Sequence, residues 1–105
     1  MTHHVGAESP LVATLREVAA ERIRQNAKWG EQNHPNGAGD EYIAAANEAR
    51  TVCAEAFAQG VGTWRDVLAE EVYEAFAETD PVLLRAELIQ VAAVAAAWVD
   101  RKTAS

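Results

Sequence analysis

Five carboxylates carry the chemical interest of this chain. Four of them, Glu70, Glu71, Glu74 and Glu78, fall within the stretch LAEEVYEAFAE (Leu68–Glu78), and Glu87 follows shortly after. Whether they bind anything depends on where they point. On a helix turning about 100° per residue, with Trp64 as origin, Val67, Leu68, Val72 and Ala75 mark the apolar side. Glu71 then falls between Val67 and Leu68, Glu74 and Glu78 lie on the adjoining edge, and Glu70 is a step further out. By the same construction Glu87 lies beside Val91 and Trp98 on its own helix, and Arg50 continues the stripe of Ile43, Ala46, Cys53 and Phe57. Three segments thus put a charge where an apolar side chain is expected. An unpaired buried carboxylate costs several kcal/mol, so such groups are ion-paired or bind metal. Glu71, Glu74 and Glu87 can form a salt-bridge network with Arg50 and Arg22. They can equally hold a divalent ion, because residues three apart on a helix lie about 5–6 Å apart at Cβ. Oxygen ligands without histidine favour Mg²⁺ or Mn²⁺ over zinc.

Positioning such a set requires helices, and the sequence predicts four. Ser9-Pro10 reads as an N-cap followed by proline at the first helical position, opening a helix to about Lys28 with Val12, Leu15, Ala19 and Ile23 on one face. The Gly-, Asn- and Pro-containing stretch Trp29–Asp40 reads as a loop. Asp40 is expected to cap a second helix, which Gly60 and Gly62 end. Thr63 caps a third over Trp64–Glu78, and Asp80-Pro81 opens a fourth to about Arg101. No segment alternates with the two-residue period of a strand. The expected architecture is all-α, a single four-helix bundle-like domain over residues 1–105, with 1–8 and 102–105 as flexible ends and His3 and His4 disordered. In the fourth helix, Leu84, Leu88, Val91, Ala95 and Trp98 follow a packing seam, and alanines and valines cover much of the rest. A helix apolar nearly all round must be buried on several sides. A homodimer or tetramer, formed through the helices, is therefore expected. Trp64, Trp98 and Cys53 are expected in the core.

Bulk properties narrow the partners. A formal charge of −7 and a pI near 4.8 oppose a nucleic-acid backbone or anionic membrane as the main partner. The single cysteine, Cys53, excludes an internal disulfide and supplies too few thiolates for a cysteine zinc site. MTHHVGAESP lacks the basic start and apolar run of a signal peptide, and no apolar stretch is expected to reach the length of a membrane span. The expected location is cytoplasmic.

Glu71-x-x-Glu74, twelve residues, then Glu87-x-x-Gln90 resembles the ExxE…ExxD signature of the MazG-like all-α nucleoside triphosphate pyrophosphohydrolases, with Glu70 completing EExxE. The blocks ERIRQNAKWGEQNHP (Glu21–Pro35), TWRDVLAEEVYEAFAE (Thr63–Glu78) and LLRAELIQVAAVAAAW (Leu83–Trp98) together resemble a small single-domain bacterial and phage subgroup. The resemblance implies a MazG fold, assembly into dimers or tetramers, and Mg²⁺-dependent cleavage of a (deoxy)nucleoside triphosphate to monophosphate and pyrophosphate. It implies Glu71, Glu74 and Glu87 as metal ligands. Gln90 stands where the family has its fourth ligand, an aspartate. A carboxamide can bind a hard cation through its carbonyl but supplies no charge, leaving Glu70 or Glu78 as substitutes. A catalytically weakened helical module that binds nucleotide or a protein partner without turnover is the alternative. Phosphoribosyl-ATP pyrophosphatases belong to the same superfamily, and nothing in the sequence singles them out.

The chemistry implied needs the phosphate charge neutralised and a water activated. Glu70 is the candidate catalytic base. Arg24, Lys28 and Arg50 are candidates for the phosphates, with Arg50 equally suited to pair the glutamates. In KWGEQNHP, Trp29 or His34 can stack on a base. The structural reading of the same segment has Trp29 plugging the bundle end, Gly30 stopping the helix and His34-Pro35 shaping the loop.

Overall fold

Local signals set the helix starts. In the computed structural model, which describes residues 8–101, α1 spans Pro10–Trp29, α2 Ile43–Ala58, α3 Trp64–Ala77 and α4 Pro81–Val99. Ser9 accepts the Val12 N–H through its hydroxyl, with Pro10 at the first helical position. Thr63 and Asp66 form a capping box: Asp66 N–H donates to Thr63 Oγ1 (3.2 Å) and Thr63 N–H to Asp66 Oδ2 (3.0 Å). A cap of this kind is worth about 1 kcal/mol. Asp80 Oδ1 accepts from Val82 N–H (2.8 Å) and Leu83 N–H (3.4 Å), opening α4. Among the described residues there is no strand, and the chain is all-α.

The start of α2 differs from the sequence expectation. Asp40 does not cap it; Asp40–Tyr42 form a 3-10 turn, and α2 begins after Tyr42 without a side-chain cap. Tertiary contact replaces the cap. Gly39 N–H donates to the Phe76 carbonyl of α3 (2.8 Å), and the Tyr42 ring lies 5.3 Å from that of Phe76. At the other end of α2 the chain reverses through Gly60, whose φ of 77° favours glycine. Gly62 then passes so close to Phe57 that a Cβ there would overlap the ring. These two glycines bring α3 back against α2.

The contacts group the chain into two compact units. One holds Asn36–Ala95; the other joins the residues up to Pro35 with those from Ala96 on. In the first, α2 packs on α3 and the 3-10 turn packs on both. In the second, Thr14 of α1 is buried and its hydroxyl donates to Asp100 Oδ1. The expectations for residues 1–7 and 102–105, His3 and His4 included, lie outside the described residues.

Two expectations about burial need correction. Cys53 is buried as expected, but Trp64 is exposed and Trp98 only half-buried. No large side chain among the described residues is fully buried. The residues of the apolar stripes lie on helices, but one copy of the chain leaves many of them exposed. The expectation that no apolar stretch reaches the length of a membrane span also fails: the 19-residue α4 is long and apolar enough, by length and composition, to cross one, with a mean hydropathy of 1.7 over an 18-residue stretch of which only 6 % is buried. Arg85 and Glu87, which interrupt its apolar run, are outweighed in that average.

Candidate functional site

Glu71 and Glu74 lie one turn apart on α3, and Glu87 approaches them from α4. One carboxylate oxygen from each lies within 4.8 Å of the others. The helical phase read from the sequence thus brings the three together, and all three are partly buried. Glu71 Oε2 and Glu87 Oε2 are sealed from solvent without any hydrogen-bond partner. Carboxylate oxygens are costly in that state. Burial, then the charges of Glu74, Glu87 and Glu70, push the Glu71 carboxyl above the usual carboxylate range. Burial, then Glu74 and Glu78, do the same to Glu87.

The salt-bridge arrangement accounts for only one of the three. Arg50 Nη2 lies 3.4 Å from Glu74 Oε1, and the Arg50 side chain is 54 % exposed. Such a long, solvent-screened pair neutralises little. Arg22, the other expected partner, instead donates to Gln25 (2.9 Å) and Asn26 (3.4 Å) of its own helix. Among the described residues no further ion pair reaches the three carboxylates.

Beside them opens a cleft of about 280 Å³, walled by Ile43, Ala46 and Ala77 and carrying Asn47, Arg50, Glu74, Glu78 and Glu87 at its polar edge. Glu78 Oε2 accepts from the N–H groups of Thr79 (3.0 Å) and Asp80 (3.2 Å), which fixes it at the end of α3. Gln90, one turn past Glu87, is exposed and outside this lining. Glu70 lies beside Cys53 and outside the three-oxygen group. Burial pushes the Cys53 thiol up, and the neighbouring Glu70 pushes it further.

The remaining sequence candidates belong to the other unit. Arg24 pairs with Glu21 (2.7 Å) along α1. Lys28 Nζ stands 4.7 Å over the ring of Trp29, which is exposed, and the His34 ring contacts Gln32 Oε1 at 3.1 Å. Trp29 therefore fills no core position in the chain. Asn47 was not foreseen. Its only signal was its place one turn before Arg50, on the same face of α2.

The donor set is all oxygen, has two orphaned buried atoms and places Glu74 and Glu87 on the cleft, so its chemistry is compatible with a hard divalent cation. No family model, curated protein or solved structure matches the chain.

Proposed function

We propose that this protein is a Mg²⁺-dependent nucleotide pyrophosphohydrolase of the MazG-like kind, cleaving a (deoxy)nucleoside triphosphate to the monophosphate and pyrophosphate. The observation that carries the reading is the pair of sealed, unpartnered oxygens on Glu71 and Glu87 beside Glu74. A cation bound there supplies charge neutralisation of the phosphate and a lowered pKa for water. The chain's own residues do the rest. Glu71, Glu74 and Glu87 hold the ion. Glu78 adds negative charge at the cleft edge, in the capacity that Gln90 cannot fill. Arg50 faces the same cleft with a positive charge for the phosphate oxygens. In the balanced reaction a water oxygen bonds to the α-phosphorus, the α–β bridging P–O bond breaks, and pyrophosphate leaves with its electron pair. Glu70, the candidate for the water's proton, lies beside Cys53 and outside the cleft lining, so in this reading it takes that proton through an intervening water.

A panel of ribo- and deoxyribonucleoside triphosphates, assayed for pyrophosphate with Mg²⁺ and with Mn²⁺, tests it. Metal-dependent release from at least one nucleotide is expected. Failure across the whole panel, with nucleotide still bound, selects the second reading, a binding module without turnover. The uncharged, exposed Gln90 favours that reading.

The same proposal includes self-association. Val82, Leu88, Ile89 and Val99 of α4 are all half or more exposed, and burial of such side chains is worth about 1.5–3 kcal/mol each. A second copy covering α4 accounts for a helix that the chain alone leaves bare. Light scattering after size exclusion is expected to give a dimer or tetramer mass, and a monomer mass would remove this part of the proposal.

A further inference from the structure

Among the described residues, Arg50 is the only base lining the acidic cleft. Its side chain is more than half exposed, and a free arginine loses much rotamer freedom when held in one place. Two contacts hold it. Nη2 reaches Glu74 Oε1 at 3.4 Å, and Nη1 donates to Asn47 Oδ1 at 2.9 Å. The first is long, and Glu74 is also one of the three grouped carboxylates, so a cation there competes for the same oxygens. The second is of ordinary length and is unaffected by that competition. We infer that Asn47 is a positioning residue, which keeps the Arg50 guanidinium over the cleft so that it meets the anionic oxygens of a polyphosphate.

The residue type suits the task. A carboxamide oxygen accepts the guanidinium N–H without cancelling its charge, whereas an aspartate would neutralise it. A guanidinium has five N–H donors, and the two recorded bonds leave three for a ligand. The inference rests on the phosphoanhydride reading for its ligand class, but its test does not need turnover.

Pyrophosphate is titrated calorimetrically into the full chain saturated with Mn²⁺, for wild type, Asn47→Ala, Arg50→Met and the double variant. Mn²⁺ alone is titrated in parallel. Asn47→Ala is expected to weaken pyrophosphate about fivefold, as for loss of support to one charge-assisted bond, and to leave Mn²⁺ affinity within about twofold. In the Arg50→Met background it is expected to do nothing more. Asn47→Asp, which keeps the acceptor but quenches the charge, is expected to weaken pyrophosphate as well. A merely structural role predicts otherwise: alanine is the better helix former, so stability would hold or rise with pyrophosphate affinity unchanged. Unchanged affinity in Asn47→Ala, an equal loss on top of Arg50→Met, or no pyrophosphate binding by the wild type overturns the inference. A wild type that shows the expected pyrophosphate pattern but hydrolyses no nucleotide leaves the inference standing and sinks the hydrolase reading. Turnover with pyrophosphate affinity indifferent to Asn47 sinks the inference alone.

Discussion

Glu74→Gln is expected to lower Mg²⁺-dependent pyrophosphate release by about a hundredfold or more, the scale on which loss of a preorganised charge acts, and to weaken Mn²⁺ binding measured without substrate. Glu74 stands at the centre of the site. Its charge contributes to the raised protonation of both Glu71 and Glu87, and it alone of the three contacts Arg50. The substitution keeps shape and one carbonyl oxygen but removes one of three charges, and charge count is the main determinant of hard-cation affinity in an oxygen site. Two comparisons give the result its meaning. Glu78→Gln, at the cleft edge and tied to the Thr79 and Asp80 N–H groups, is expected to cost clearly less. Gln90→Asp, exposed and outside the cleft, is expected to change Mn²⁺ affinity little. Manganese binding that is indifferent to Glu74→Gln would mean that the three carboxylates are not a cation site, and the hydrolase proposal would lose its basis.

What the sequence disclosed about this site was whatever depends on helical phase and on neighbours within a turn. The Ser9, Thr63 and Asp80 starts are local hydrogen-bond chemistry, complete within four residues, and they stand in the structure as read. The convergence of Glu71, Glu74 and Glu87 needed only that two helices turn the faces carrying those residues toward each other. Asp40 misled because its helix start is fixed by a distant partner, the Phe76 carbonyl, rather than by its own side chain. Arg22 is not a partner of the glutamates in the structure; both it and Arg24 have partners one turn away on α1, which costs an exposed side chain less ordering. The tryptophans show the opposite limit. Periodicity places Trp64 and Trp98 on apolar stripes, but a stripe says only that something should cover it, and one copy of this chain does not. Asn47 was invisible for a different reason: an exposed asparagine on a helix has no pattern signal until the guanidinium beside it is located.

Glu87→Gln is expected to stabilise the metal-free chain at neutral to mildly alkaline pH while abolishing its stabilisation by Mn²⁺. The native carboxyls of Glu71 and Glu87 hold their protons above the ordinary glutamate range of about 4.3. Within the window from that ordinary value up to the raised one, the folded state therefore binds more protons than the unfolded state, and stability falls as pH rises. Above the window the loss is complete; below it both states are protonated and the difference vanishes. Burial enforces the shift first, and the neighbouring carboxylates add to it, Glu74, Glu87 and Glu70 on Glu71 and Glu74 and Glu78 on Glu87, with Arg50, paired to Glu74, the opposing charge from α2. Glutamine at 87 removes one titration and one repulsion, and its NH₂ can donate to an oxygen of the group. Because each carboxyl is only partly buried, screening keeps the gain small, so the melting temperature with chelator at pH 8 should rise by a few degrees. At pH 4 wild type and variant should melt together. Added Mn²⁺ inverts the order at pH 8, because a ligand that binds only the folded state stabilises it in proportion to the logarithm of its saturation, and only the wild type retains all three carboxylates. Comparing the two proteins also subtracts the general self-repulsion of a chain with net charge −7, which both nearly share. Chelated proteins with the same melting temperature at pH 4 and pH 8 would show that the sealed oxygens carry no strain, and that no cation is needed to relieve it.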